Sequence, residues 1–222
     1  MNNVERLFLE SLNEEDFIKG YLNYLSLLFS RLDTKAIARF IAELEDAYEK
    51  ENTIFIVGNG GSASTASHMA NDLGMDVLKK GGSNKAFRTL ALTDNTSVMT
   101  AIANDDGYHN TFVNQLRIHY RPGDRLIVIS ASGNSPNVVA AARWVRGRGG
   151  KVLGLTGFDG GELNNLCDVV IHVNTPKGEY GPVEDIHMVM DHLVANWLQY
   201  KHQKENGLLG LIPTPLKAQG ST

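Results

Sequence analysis

Two loops rich in serine and glycine, Gly58-Asn59-Gly60-Gly61-Ser62-Ala63-Ser64 and Ser130-Ala131-Ser132-Gly133-Asn134-Ser135, each follow an apolar run and lead into a helical pattern. Glycine lets the backbone bend and approach a ligand, and serine hydroxyls donate to anionic oxygens. The following helix start offers unpaired N–H groups at the positive end of its dipole. One such loop is also an ordinary strand-to-helix turn with a serine cap. Two of them, after different strands of an open α/β sheet, can converge on one small anion outside the carboxyl ends of the strands. The pattern reads as a phosphate cradle that needs no lysine.

A second constellation lies further along. His68 and Asp72, spaced i, i+4 on the helix leaving the first loop, share a face about one turn beyond the cradle. The last helix carries Glu184, Asp185, His187, Met188, Asp191 and His192, with Glu184, Met188 and His192 on one face. Taken singly, a His–Asp pair is a surface hydrogen bond and acids at a helix start answer the dipole. Together, His68, Asp72, Glu184 and His192 are two imidazoles and two carboxylates on two helices, a set suited to acid–base chemistry or to zinc. Asp191 is expected to face solvent or to orient His192. His109, His119, His172 and His202 join no constellation and read as surface or structural residues.

The elements that must position these groups alternate. Strand-like runs at Ile54–Val57, Thr89–Leu92, Leu126–Ser130, Val152–Leu155 and Val169–Val173 are separated by helical patterns from Ser62, near Thr96–Asn104 and Asn110–His119, and from Pro136. A final helix spans about Pro182 to His202. This predicts an α/β fold with a doubly wound, parallel, five-stranded sheet flanked by helices. Ahead of it, residues 4–50 read as two helices, with Phe8, Leu12, Phe17, Tyr21, Leu25 and Leu28 on one stripe and Ile37, Phe40, Ile41 and Leu44 on the next. Stripes this long suit packing on the domain or a bundle-forming oligomer. The expected organisation is an N-terminal helical pair over 1–50, a core over 51–204 and a loosely held extension over 205–222.

Composition narrows the function. The chain has 222 residues, enough for one domain with a sizeable core, and a formal net charge of −4. That balance argues against a nucleic-acid or membrane-surface partner, which needs clustered Lys and Arg. One cysteine, Cys167, allows no internal disulfide and fits a reducing cytoplasm. The start of the sequence lacks the basic-then-apolar pattern of a signal peptide, and no stretch approaches the roughly 18 apolar residues of a membrane span. Gly58-x-Gly60-x-x-Ala63 formally satisfies a dinucleotide fingerprint, but Leu78-Lys79-Lys80-Gly81 stands where an acid should hold the ribose. No nucleotide cofactor is expected.

Read together, Gly58-Asn59-Gly60-Gly61-Ser62, the serine loop 130–135, Leu155-Thr156-Gly157-Phe158-Asp159-Gly160-Gly161 and Glu184-Asp185-Ile186-His187 resemble the sugar isomerase (SIS) domain family, and within it the phosphoheptose isomerase branch. The resemblance covers roughly residues 35–200 and rests on four separated motifs in the family's order. It implies a homotetramer and an aldose–ketose isomerisation of sedoheptulose 7-phosphate through an enediol. It also assigns roles: Ser62, Ser130, Ser132 and Ser135 at phosphate-binding positions beside Gly60, Asn59 at a sugar-contacting one, and Asp94 at a substrate-facing acid. His68 and His192 match metal-binding or catalytic histidines, so that Asp72, Glu184 and His192 are the expected catalytic groups and one zinc ion per site the expected cofactor.

Three positions depart from the branch. Asp72 stands where it carries glutamate, Glu184 where it carries glutamine and Ala131 where it carries threonine. Asp72 is one methylene shorter than glutamate, and Glu184 adds a negative charge. If all four groups bind a metal, none is free as a base. The alternative reading is a non-catalytic SIS protein that senses a phosphosugar or binds a partner, which would need the serine loops but not the acid–histidine set.

Overall fold

The computed structural model describes residues 1–209. Five strands, β1 (Thr53–Gly58), β2 (Arg88–Ala91), β3 (Arg125–Ser130), β4 (Lys151–Phe158) and β5 (Val169–Asn174), form one parallel sheet in the order β2-β1-β3-β4-β5. Alternation along the strands divides the apolar residues between two cores. Ile54, Ile56, Ile127 and Ile129 point to one, and Phe55, Val57, Leu126 and Val128 to the other. The first core is covered by α3 (Thr34–Glu49), α4 (Gly61–Asn71) and α10 (Tyr180–Glu205), and the second by α7 (Thr111–His119) and α8 (Pro136–Arg146). Helices α6 (Thr96–Asp105) and α9 (Leu163–Leu166) lie in the connections after β2 and β4. The doubly wound sheet expected from the sequence is therefore the sheet observed.

The N-terminal region forms three helices rather than the expected two: α1 (Asn3–Glu10), α2 (Glu14–Ser30) and α3. The stripe from Phe8 to Phe17 breaks because the Ser11 hydroxyl donates to the Leu7 carbonyl while the Asn13 side chain accepts from the Asp16 N–H, starting a new helix. Phe8 then folds back edge-on to Phe17. Only α3 is integral to the core, through Phe40 and Leu44; α1 buries no residue and α2 only Leu28. The last helix starts at Tyr180, two residues ahead of expectation, with Pro182 in its first turn, where the missing N–H breaks no bond. Of the extension expected over 205–222, residues 210–222 lie outside the described residues. Among the described residues no helix is long and apolar enough to cross a membrane.

The order 2-1-3 places β1 and β3 side by side while their following helices leave to opposite faces, so the chain ends of these two strands open a crevice. The loop after β3 is braced there from β4. Gly157 N–H donates to the Ala131 carbonyl, Leu163 N–H to the Gly133 carbonyl and Glu162 N–H to the Asn134 side chain. Gly133 has φ +63°, and a Cβ there would collide with the Gly160 carbonyl oxygen. Gly149 also has positive φ, at +71°, with open space where a side chain would stand. Gly149→Ala should cost only the left-handed penalty, about 1–2 kcal/mol. Gly133→Ala should cost more, with a lower urea midpoint at an unchanged m-value, since backbone must also move.

Candidate functional site

At the crevice, the start of α4 and the β3–α8 loop face each other across a cavity of about 280 Å³. It is lined by Asn59–Ser62, Ile129–Ser132 and Ser135, with Tyr180 and Glu184 of α10 closing one side. Neither helix start is capped by a side chain: Gly60 precedes α4 and Ser135 precedes α8 without a side-chain cap hydrogen bond. Pro136 gives α8 no N–H at its first position and the Val138 N–H donates to the Asn137 side chain, so the N–H groups of Gly61, Ser62 and Asn137 are the ones left for an anion. The Ser130 hydroxyl stands 3.5 Å from that of Ser132 and 3.3 Å from that of Ser135, three hydroxyls gathered at one point. Ser62 is buried in the facing wall.

Asn59 also reaches this cavity, but its amide is committed. It donates to Asn137 at 2.8 Å, and its oxygen accepts from Asn137 and from the Tyr108 hydroxyl. It braces the cradle from behind. Asp94 lies elsewhere, exposed, accepting from the Ser67 and Thr93 hydroxyls. It is absent from the walls of the cavity.

The helices α4 and α10 run side by side in the same direction. The Glu184 carboxylate lies against Gly61, seven residues before His68, and His68 meets His192, eight residues after Glu184. The two imidazole Nε2 atoms are 3.2 Å apart, and His68 Nε2 is 3.4 Å from an Asp72 carboxylate oxygen. Asp72 opens a π-helical turn, Asp72–Asp76, in which the Val77 N–H donates to the Asp72 carbonyl before α5 (Val77–Gly81) continues. Such turns interrupt α-helices often where function needs a side chain re-aimed.

The structure corrects two expectations. Glu184 does not join His68, Asp72 and His192, because eight residues at 1.5 Å rise put it about 12 Å back along the helix from His192. Asp191 does not face solvent: it is 0 % exposed, and one of its oxygens lies within 4.8 Å of ligand atoms of His68, Asp72 and His192. The sequence signal for it was available. Asp191 interrupts the inward stripe of Val183, Ile186, Met190, Val194 and Leu198, where an apolar residue belongs.

The electrostatics separate the acids. Burial, with Asp185 adding repulsion, pushes the Glu184 carboxyl above the ordinary glutamate range, and Glu184 has no hydrogen-bond donor among the described contacts. Burial pushes Asp191 further, to about 8, with the Asp72 charge contributing. Among the described residues neither Asp191 oxygen has a hydrogen-bond partner. His187, also buried, is held down at about 4 and contacts the Thr156 carbonyl at 3.2 Å, a core histidine rather than a site one. The donor set His68, Asp72, Asp191 and His192 fits a divalent ion of borderline softness: two imidazoles and two carboxylates. Two nitrogens on a tetrahedral zinc at 2.0–2.1 Å stand about 3.3–3.4 Å apart, close to the separation found.

Comparison with known proteins agrees with this fold. A family model described as SIS domain matches residues 19–157. The phosphoheptose isomerase of Rhodospirillum rubrum is 35% identical over 187 residues, covering 83% of this chain and 97% of that protein. That of Aneurinibacillus thermoaerophilus is 37% identical over 185 residues, covering 81% and 91%. Among solved structures, the phosphoheptose isomerase of Neisseria gonorrhoeae superposes with a TM-score of 0.74 at 26% identity, over 85% of this chain and all of that one. The NanR protein of Vibrio vulnificus, solved in complex with ManNAc-6P, shares the fold at 17% identity and a TM-score of 0.57, covering 84% of this chain and 64% of its own. With the matched region spanning the cradle and most of the sheet, and relatives aligned over nearly their whole length, the chain belongs to the SIS domain family, among its phosphoheptose isomerases.

Proposed function

We infer that the protein is a phosphosugar aldose–ketose isomerase that interconverts sedoheptulose 7-phosphate and D-glycero-D-manno-heptose 7-phosphate through a cis-enediol. The observation that carries this is the pairing of a three-serine cradle with an acid–histidine group two helical turns away along the same two helices. A non-catalytic phosphosugar sensor would need only the first. The relatives' names supply the substrate.

In this reading the phosphate is held by the hydroxyls of Ser62, Ser130, Ser132 and Ser135 and by the free N–H groups that open α4, with that of Asn137 in α8. The sugar then lies along the groove between α4 and α10, with its hydroxyls passing Gly60, Asn59 and Glu184. Its carbonyl end reaches Asp72 and His192. Asp72 removes the proton from the carbon beside the carbonyl and returns it to the neighbouring carbon. Its side chain retains 15 % exposure, so a substrate can meet it. Glu184, the other candidate base, stands at the cradle end and serves as an acceptor for a sugar hydroxyl. A zinc ion at His68 and His192, one per site, would polarise the carbonyl and enediolate oxygens. Asp94 has no role here beyond ordering Ser67, the neighbour of His68.

The helices of residues 1–50 and the outer face of α10 supply the assembly. Val189, Leu193, Trp197 and Tyr200 form an exposed apolar stripe on α10, and Phe8, Leu12, Ile18 and Leu22 expose apolar surface on α1 and α2 and the turn between them. A hollow of about 790 Å³ between α1, α2 and the start of α10 is lined largely by such residues and carries no acid–histidine pair, which suits packing rather than chemistry. Homotetramerisation, as the resemblance implies, would cover these faces. The half-buried Cys167, its thiol pushed up to about 12 by burial, is unreactive and consistent with the cytoplasm.

The experiment that tests the function is turnover of sedoheptulose 7-phosphate with the product identified by NMR; no turnover overturns it. Each hydrogen bond to a charged group is worth about 1.5–3 kcal/mol, so Ser130→Ala/Ser132→Ala should raise KM by at least about 100-fold. Asp72→Asn should lower kcat by about 10²–10⁴-fold with a smaller change in KM. Sedimentation at micromolar concentration should find a species near four times the 24.3 kDa chain mass. Trp197→Glu should shift it to smaller species.

A further inference from the structure

Among the described residues, Tyr180 alone lines both the serine cradle and the apolar hollow between α1, α2 and the start of α10. It stands four residues before Glu184, on the same face of α10 and about 6 Å further from the acid–histidine group. An anion in the cradle therefore has space on two sides: the groove leading to His192 and, past Tyr180, the hollow. Hydroxyls and helix N–H groups grip a phosphate without regard to which way the rest of the molecule points. Direction has to come from whatever closes the second side.

The Tyr180 ring is held from two flanks. Phe158 packs edge-on against it, with ring centroids 5.0 Å apart at 82°. Phe158 is itself buried and has φ +54°, a left-handed backbone that a bulky residue adopts only where its surroundings impose it. On the other flank, the buried Glu179 carboxylate accepts from the Asn3 backbone N–H with one oxygen and from the Tyr24 hydroxyl with the other. The Asn3 side chain donates to that hydroxyl at 2.9 Å, and the Tyr21 hydroxyl donates to Asp185 at 2.6 Å. Burial and the neighbouring Glu179 push the Tyr24 hydroxyl up to about 12, so it stays a donor. Helix α1 buries no residue, so polar bonds rather than buried apolar area tie it to the segment that carries Tyr180 and Glu184.

We propose that Tyr180 is a substrate-orienting residue: its ring closes the rear of the cradle, so that a phosphate ester bound there extends along the groove between α4 and α10, and the Asn3–Tyr24–Glu179 latch holds that wall in place. The ring does this, not the hydroxyl. The kinetic consequence rests on the isomerase reading, whereas the closing of the rear exit stands on the two cavities and the bonds around them.

Calorimetric titration of the full chain compares inorganic phosphate with hexyl phosphate, whose apolar tail suits the hollow and not the polar groove. Wild type should bind the two within about threefold of each other. Tyr180→Ala should keep its affinity for inorganic phosphate within about threefold and bind hexyl phosphate at least about tenfold tighter than wild type, a gain that burial of two methylenes in the space beside Phe158 supplies. Tyr180→Phe should match wild type. Tyr24→Phe, which unties the latch and leaves the ring, should show part of the same gain, about threefold, and it stands in should Tyr180→Ala not fold. With sedoheptulose 7-phosphate, Tyr180→Ala should lower kcat and KM together, by about fivefold or more, and keep kcat/KM, because substrate held the wrong way round withdraws enzyme from turnover without touching the transition state. A damaged fold would instead lower the active fraction and leave KM alone. Wild type that already prefers hexyl phosphate about tenfold, or no gain in Tyr180→Ala, overturns the wall. A raised KM at unchanged kcat overturns the orienting role, and no gain in Tyr24→Phe overturns the latch. A gain in hexyl phosphate affinity beside a wild type that turns over no sugar removes the isomerase and leaves the wall.

Discussion

The structure depends on the adjacency of β1 and β3. In a parallel sheet ordered 2-1-3-4-5, these neighbours are the strands whose following helices depart to opposite faces, so their chain ends cannot be closed over by either helix. Two loops are left facing each other, and in both the residue that precedes the helix, Gly60 or Ser135, makes no side-chain capping bond. Hydroxyls and backbone dipoles converging from two directions would suffice for a phosphate there, in a chain of net charge −4 with no lysine or arginine among the described residues that line the cradle.

From the cradle, distance is set by helix rise. Because α4 and α10 run parallel and in contact, every residue on one has a fixed partner on the other: Gly61 with Glu184, His68 with His192, and, in the continuation through α5, Gly81 with His202. The pair acts as a ruler that starts at the cradle and places the acid–histidine group about two turns away. In the proposed function, an open-chain sugar phosphate held at the cradle would present its other end there. Glu184 falls at the phosphate end of this ruler and Asp72 at the far end, and this separates two carboxylates that differ by a single methylene.

The burial of Asp191 carries an energetic cost that no hydrogen bond among the described residues offsets. Around it, Val183, Ile186, Met190, Val194 and Leu198 anchor α10 to the sheet, so the helix cannot roll to expose the acid without losing that packing. The π turn at Asp72 has a related effect on the facing helix, adding a residue to the turn where Asp72 sits. Both departures from regular structure fall at the group formed by the two histidines, and the rest of α4 and α10 follows ordinary amphipathic rules.

Much of this was legible in the chain itself. Short continuous apolar runs and the helical patterns between them determined a doubly wound sheet, and the serine loops after the first and third runs suggested where a phosphate could bind. His68 and Asp72 belong to one face by the arithmetic of a helix alone. Tertiary structure decided the remainder. Intervals of four and eight on α10 placed Glu184 and His192 on one face, but a shared face says nothing of axial distance, and about 12 Å of rise divided them. Asp191 read as a polar neighbour of His192 because one helix in isolation does not reveal which side will be pressed against a sheet. The break at Ser11–Asn13 was likewise hidden, since two hydrogen bonds to side chains outweighed an apolar periodicity that ran straight through it. Local periodicity is a property of each segment, whereas the pairing of buried groups exists only once two segments exclude water from between them.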